Sequence, residues 1–308
     1  MQPPLLMLLL GFFLLPSAEA GEIIGGHEAK PHSRPYMAFL SIQDEEEKSR
    51  CGGVLVGKNF VLTAAHCIGR SITVTLGAHN IKKWEKTQQK ISVKRAIPHP
   101  DYDDSTLSND IMLLQLERNI KQTDAVKPLP LPRSKDLPRP GQKCTVAGWG
   151  RVTRDGPCSD TLREVELTLQ NDSKCENLFE YSDTLQEVEL TLQKDMKCND
   201  AFKNYNRTIQ LCVGDSKKKS SFEVILNICF YNRTIQLCVG DPKEKKSSFK
   251  GDSGGPLLCR NGIQGIVSYG PTDGTPPEVY TKVTSFLPWI KETMKSLQLQ
   301  DPDHLLWS

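Results

Sequence analysis

Gly251-Asp252-Ser253-Gly254-Gly255-Pro256 sets a serine in a glycine-rich turn, and its reading depends on two stretches upstream. These are Leu62-Thr63-Ala64-Ala65-His66-Cys67 and Asn109-Asp110-Ile111-Met112-Leu113-Leu114. Each alone has an ordinary structural explanation: a core histidine beside a cysteine, a turn or cap at a strand start, a loop. Together, in the order His, Asp, Ser, they supply the groups that acyl transfer needs. A serine hydroxyl is a poor nucleophile at neutral pH and needs a neutral imidazole to take its proton. The imidazole returns that proton to the leaving group, so its pKa must lie near working pH. A buried carboxylate fixes the tautomer and stabilises the imidazolium. Ser253, His66 and Asp110 are the candidates. The backbone N–H groups of Gly251 and Ser253 are the candidate oxyanion donors, and glycine suits the backbone this requires.

Around these stretches the chain reads as short β-rich runs punctuated by Gly, Pro, Asn and Asp: Val54–Thr63, Ile72–Leu76, Asp110–Leu116, Cys144–Ala147, Leu162–Leu169, Ile263–Ser268 and Val279–Val283. That spacing predicts an all-β sandwich or barrel. One helix is convincing. From Ser285 onward Phe286, Trp289, Ile290, Met294 and Leu297 recur at helical spacing. Residues 298–308 read as a loose tail.

The ends and the composition bound the setting. Leu5 to Leu15 is apolar apart from Gly11, and Ala18-Glu19-Ala20 follows, so residues 1–20 read as a secretory leader. The run is too short for a good membrane span, and no second one is long enough. Ten cysteines without a C-x-x-C suit an oxidising compartment and disulfides rather than zinc or redox chemistry. A formal net charge of +2 in 308 residues gives no reason to expect nucleic acid. Asn171, Asn206 and Asn232 each open a glycosylation sequon. Lys82-Lys83, Lys217–Lys219 and Lys243–Lys246 read first as solvated loops, and second as contacts for sulfated proteoglycan. Neither a metal nor an organic cofactor is expected.

The middle of the chain repeats itself. Ser159–Phe179 nearly recurs as Ser182–Phe202, and Tyr205–Phe222 as Tyr231–Phe249, so the duplicated segment occupies about 159–249. Each unit occurs only twice, so this is no solenoid. A barrel has fixed seats, and two copies of one strand cannot share one. One copy of each must bulge out, pair at an edge or stay unfolded. Glu223–Phe230 joins them and matches nothing else, which suggests a splice artefact or a recent duplication.

These motifs resemble the chymotrypsin-like serine proteases. The resemblance runs from Ile23 to about Leu297 and is broken only by the duplication. Ile23-Ile24-Gly25-Gly26-His27-Glu28-Ala29, Pro31–Met37, Leu76–Asn80 and Pro288-Trp289-Ile290 match the granule branch in particular: granzymes, cathepsin G and mast-cell chymases. The resemblance implies two six-stranded antiparallel barrels with a C-terminal helix, occupying residues 23–297, and an endopeptidase stored in secretory granules with cytolytic, apoptotic or antimicrobial roles. It implies that a dipeptidyl peptidase removes Gly21-Glu22, freeing an ammonium at Ile23 that pairs with Asp252. It makes serpins expected inhibitors and proteins the substrates. The pocket floor, six residues before the nucleophile, is Ser247 rather than an aspartate. Ser268 and Gly270 form its wall, and Glu278 sits where relatives that cut after aspartate carry an arginine. Cleavage after Phe, Tyr or Leu, with some Lys or Arg, is the expectation; if Glu278 turns away, the pocket is simply chymotryptic. The resemblance also pairs Cys51 with Cys67 and Cys144 with Cys259. A third bridge takes Cys175 or Cys198 on one side and Cys212 or Cys238 on the other; the Cys198–Cys212 spacing is undisturbed. Cys158 and Cys229 have no family partner. The rival reading is an inactive relative that binds microbial surfaces or glycosaminoglycan.

Overall fold

The computed structural model describes residues 23–45, 47–153, 155–179, 231–260 and 262–300. The leader, the Gly21-Glu22 dipeptide, residues 180–230 of the duplicated region and residues 301–308 lie outside the described residues.

Strand β1 (His27–Glu28) is followed by six strands that close on themselves: β2 (Met37–Gln43), β3 (Lys48–Leu55), β4 (Phe60–Thr63), β5 (Ser71–Leu76), β6 (Gln89–Pro98) and β7 (Met112–Leu116). Their order around the barrel is β2-β3-β4-β7-β6-β5. Along β2 the period of two is plain, with Leu40 and Ile42 inside and Ser41 outside. β4 and β7 are buried at every position, since strands covered on both faces need no polar side. The continuous run expected over Val54–Thr63 is two strands. Gly57-Lys58-Asn59 turns the chain between them, with Val56 and Gly57 both donating to the Phe60 carbonyl.

The second half contributes β8 (Lys143–Gly148), β9 (Arg163–Thr168), β10 (Gln236–Val239), β11 (Pro256–Cys259), β12 (Gly262–Tyr269) and β13 (Glu278–Lys282). With β1 they form one seven-stranded sheet in the order β1-β9-β8-β11-β12-β13-β10. The expected second barrel therefore closes less completely than the first. Among the described residues its seam is a single bridge, Leu169 to Val239, flanked by Gly240 N–H to the Thr168 carbonyl and Gln170 N–H to the Cys238 carbonyl, at 2.9 and 2.8 Å. β10 has only four residues, too few for a full ladder.

Among the described residues two α-helices complete the fold. α1 (Asp172–Phe179) was not expected; it buries Cys175, which bonds to Cys238 of β10. α2 (Leu287–Leu299) follows a 3₁₀ turn at Val283–Phe286, starting two residues later than the periodicity suggests and running into the predicted tail. Pro288 sits in its first turn, where a missing N–H costs nothing. Residues of this C-terminal segment pack back on the first barrel: the His99 ring meets Phe286 and Trp289 edge-on at 5.1 and 5.0 Å. The site lies between the halves, so both must be in register for it to exist.

Candidate active site

His66 sits on a short 3₁₀ turn, Ala65–Cys67, at the end of β4. The turn is tied to β3 by the Cys51–Cys67 disulfide. Both sulfurs near the His66 ring are spent on that bond, so they offer no thiolate for a metal. Asp110 arrives from the end of the 99–110 loop. Asn109 before it adopts a left-handed backbone, φ 56°, which asparagine tolerates better than most residues, and its side chain donates to the Asp101 carbonyl at 2.8 Å. The turn aims Asp110 inward. One carboxylate oxygen accepts the His66 backbone N–H at 2.9 Å; the other lies 2.7 Å from His66 Nδ1. The second oxygen also accepts the Ser268 hydroxyl at 2.6 Å, and the Asp110 carbonyl accepts Thr281 Oγ1 at 2.7 Å. Two strands of the second half thus hold a residue of the first.

The electrostatics follow from these contacts. Burial alone pushes the His66 pKa down, but the Asp110 charge and hydrogen bond outweigh it and the net shift is upward. For Asp110 burial pushes upward, while the His66 charge and the bonds from His66 and Ser268 hold the carboxyl below its ordinary value. The His66 side chain is a quarter exposed and that of Asp110 not at all. The imidazole therefore has a wet edge for exchanging protons and a dry edge that is fixed.

Ser253 is half-buried in a cleft of about 180 Å³ lined also by Ser248, Phe249, Lys250, Tyr269, Gly270 and Glu278. Gly52, on the strand tied to His66, donates its N–H to the Ser253 carbonyl at 2.8 Å, which locks the serine turn to the first half. Gly251 has φ 101°, and a Cβ there would stand 3.0 Å from Gly150 Cα, so any other residue would be strained. Among the described residues neither the Gly251 N–H nor the Ser253 N–H has an acceptor. Two unspent donors beside the candidate nucleophile are what a developing oxyanion needs.

Asp252 is fully buried, with carboxylate oxygens accepting N–H groups from Gly150 (2.8 Å) and Phe249 (3.0 Å). Burial pushes its pKa up to about 7, and these bonds only partly offset that. No cation pairs with it among the described residues. Ile23 is itself buried in the second-half core, and its carbonyl accepts the Gly26 N–H.

The pocket wall has a second buried carboxylate. Glu278 Oε1 accepts the Ser247 hydroxyl at 2.8 Å; Oε2 accepts the Ser248 hydroxyl and N–H at 2.5 and 3.0 Å and is 3.4 Å from the Tyr280 hydroxyl. Burial pushes its pKa up to about 7 despite these donors. A Cβ at Gly270 would lie 2.8 Å from Glu278 Cγ, so the glycine leaves room for the carboxylate at the cleft wall.

A family model described as Trypsin matches residues 23–223 and 227–290, starting at Ile23 itself. The chain belongs to the trypsin family. It is 53% identical to granzyme B of Homo sapiens over 96% of its own length and 99% of that protein's, and 50% identical to cathepsin G of Homo sapiens over 98% of both. A solved structure described as "Structure of GrC" superposes with a TM-score of 0.71 at 49% identity, covering 89% of this chain and all of that one. The protein is a serine endopeptidase of the chymotrypsin type, and the two-lobed β fold with its C-terminal helix is the trypsin-like fold.

Within this trypsin-family frame the structure brings His66 and Asp110 into contact and places Ser253, Ser268, Gly270 and Glu278 around the neighbouring cleft, while Ser247, read as the pocket floor, is not among its lining residues and instead bonds to Glu278. Ser268, read as pocket wall, lines the cleft and also turns its hydroxyl to Asp110. Sequence reasoning missed Ser248 and Tyr280, which hold Glu278; the alternation in Glu278-Val279-Tyr280 puts the two side chains on one face and was the available signal. Cys51–Cys67 and Cys144–Cys259 are paired as expected. The open choice for the third bridge resolves to Cys175–Cys238, joining α1 to β10; Cys198, Cys212 and Cys229 lie outside the described residues, and Cys158 is free. Asn171 and Asn232 are exposed, whereas Asn206 lies outside the described residues. No described helix is long and apolar enough to cross a membrane.

Proposed function

We propose that this peptidase cuts protein substrates through a Ser253–His66–Asp110 triad, with primary preference for Phe, Tyr or Leu and a secondary one for Lys or Arg. The observation that supports it most is the two-point grip of Asp110 on His66, through Nδ1 and the backbone N–H. That grip leaves Nε2 as the nitrogen for a substrate-side hydroxyl. In the proposed cycle Ser253 Oγ attacks the scissile carbonyl while His66 Nε2 takes its proton. The negative charge forming on the carbonyl oxygen meets the N–H groups of Gly251 and Ser253. His66 then protonates the departing amine, leaving an acyl-serine. Water attacks this ester by the same route reversed, with His66 again as base.

The chain reads as made inactive. The leader is removed on export, and loss of Gly21-Glu22, by a dipeptidyl peptidase, exposes the Ile23 ammonium. Asp252 is a buried carboxylate with N–H donors and no cation among the described residues. An ammonium arriving beside it would turn a costly charge into a paired one and fix the oxyanion turn next door. In this reading the enzyme is stored in secretory granules, has a defensive or cytolytic role and meets serpins as inhibitors, a reading supported by the likeness to granzymes and cathepsin G. A fluorophosphonate label on the trimmed enzyme tests the triad: labelling at Ser253 is expected. A folded protein that takes no label would instead be a binding protein.

A further inference from the structure

A second cavity lies away from the catalytic cleft and shares none of its residues. It measures about 670 Å³ and is lined by His32, Lys86, Thr87, Gln89, Arg118, Lys121, Thr123, Asp124 and Ala125. Three segments build it: the turn holding His32, the start of β6, and the chain leaving β7. Gln89 fastens the last two together, its side-chain carbonyl accepting the Lys121 N–H at 2.8 Å while its amide donates to the Lys121 carbonyl.

The charges around it are lopsided. Among the described residues no carboxylate pairs with Lys86, Arg118 or Lys121. The nearby acids are already engaged. Asp124 is paired with Lys127 at 2.9 Å, and Glu85 accepts the N–H groups of His79 and Asn80 at 2.8 and 3.0 Å. Three wall residues each carry a polar atom that is shut from solvent and has no partner among the described residues: His32 Nδ1, Thr87 Oγ1 and Thr123 Oγ1. A buried polar atom lacking a partner is costly. Both threonines line the cavity, and an acceptor on a bound ligand would satisfy such a hydroxyl. The aliphatic stems of the lysines and the arginine, with Ala125 and the threonine methyls, make the rest of the wall carbon.

We propose that this cavity is an exosite for an acidic, partly apolar segment of a protein substrate. Carboxylates would meet Lys86, Arg118 and Lys121, and apolar side chains would lie on the stems between them. The volume lies within the roughly 300–1,000 Å³ range of sites that enclose a ligand. A sulfated saccharide would use the same cations but leave the carbon surface uncovered, so the peptide is favoured. The inference rests on the reading of proteins as substrates, and it is tested by binding, independently of turnover.

The probe is a fluorescein-labelled peptide of alternating glutamate and isoleucine, titrated by anisotropy into the full chain. Binding is expected to weaken as salt rises. A Lys86→Met, Arg118→Met, Lys121→Met variant should bind about tenfold more weakly, at two- to threefold per exposed charge. Thr87→Val with Thr123→Val, which keeps shape and charge, should weaken binding severalfold. After trimming to Ile23, all variants should cleave a short chromogenic peptide as the parent does, which shows that they are folded. Unchanged peptide affinity in both variants would overturn the proposal. So would a heparin-derived oligosaccharide that binds more tightly than the peptide and loses affinity in the same variants, because the site would then be a saccharide site.

Discussion

Asp110, at the junction of the two halves, and Asp252 with Glu278, beneath the pocket, are equally cut off from water but differ in direction. Asp110 is held below its ordinary carboxylate value, while the other two are pushed up to about 7. Burial acts the same way on all three. The difference is the partner: an imidazole that can carry positive charge in one region, and only neutral N–H and O–H donors in the other. A carboxylate given a cation stays charged in the interior, and one given dipoles alone keeps its proton longer. The first region is complete as it stands. In the proposed cycle the second receives its partners later, an ammonium at Asp252 and a substrate side chain near Glu278.

Removing the charge from the complete region should have the largest effect. Asp110→Asn in the trimmed enzyme is expected to lower kcat about 10⁴-fold, as in the family's template, with the fold kept. Because the Asp110 charge is what raises the His66 pKa, the acid limb of kcat/KM should also move to lower pH. A limb left in place would mean that the two groups are not coupled. Next comes the missing cation. Acetylating the Ile23 amine after trimming should cost about 10²–10³ in kcat, the value of a lost oxyanion donor. Full activity of the acetylated form would show that Asp252 needs no charge from the new terminus.

The pocket carboxylate should give a smaller effect. Glu278→Gln is expected to reduce cleavage after Lys or Arg relative to Phe by about tenfold, or about 1.4 kcal/mol. In the parent enzyme the Lys-to-Phe ratio should rise with pH through about 7, since Glu278 is neutral below and charged above that value. A flat ratio measured on paired peptide substrates would mean that Glu278 is turned from the substrate.

Stability of the uncut chain should show the same contrast most gently. Asp252 and Glu278 have folded values above their unfolded ones, so their contribution is present at low pH and is lost as pH rises from the ordinary carboxylate range through about 7. His66, also raised, adds to the decline above the ordinary imidazole value. Asp110 works oppositely and only in acid, where its contribution fades as pH falls through its lowered value. Tm measured against pH should therefore fall across the middle range for the uncut chain. The fall should be shallower once the Ile23 ammonium pairs with Asp252.

Much of the site was legible because its signals are local. The flanks of His66, Asp110 and Ser253 are short motifs whose backbone demands, a 3₁₀ turn, a left-handed asparagine and a glycine at φ 101°, are met by residues next to the catalytic ones. What escaped was long-range. Ser248 and Tyr280 hold Glu278 from separate segments, and nothing near Ser268 announces that its hydroxyl reaches Asp110. The incomplete seam of the second sheet also escaped, since strand number can be counted from a sequence while the length of the closing ladder cannot.

Residue order alone pointed to the chemistry: a histidine, an aspartate and a serine in that succession, an isoleucine behind the Gly21-Glu22 pair, and cysteines suited to bridges. These are properties of neighbours along the chain. Only the folded molecule decided that Cys175 joins Cys238, that Asp110 and Asp252 lean opposite ways, and that three cations with no carboxylate partner among the described residues surround a second cavity. Each of those outcomes depends on which distant groups share a volume from which water is excluded.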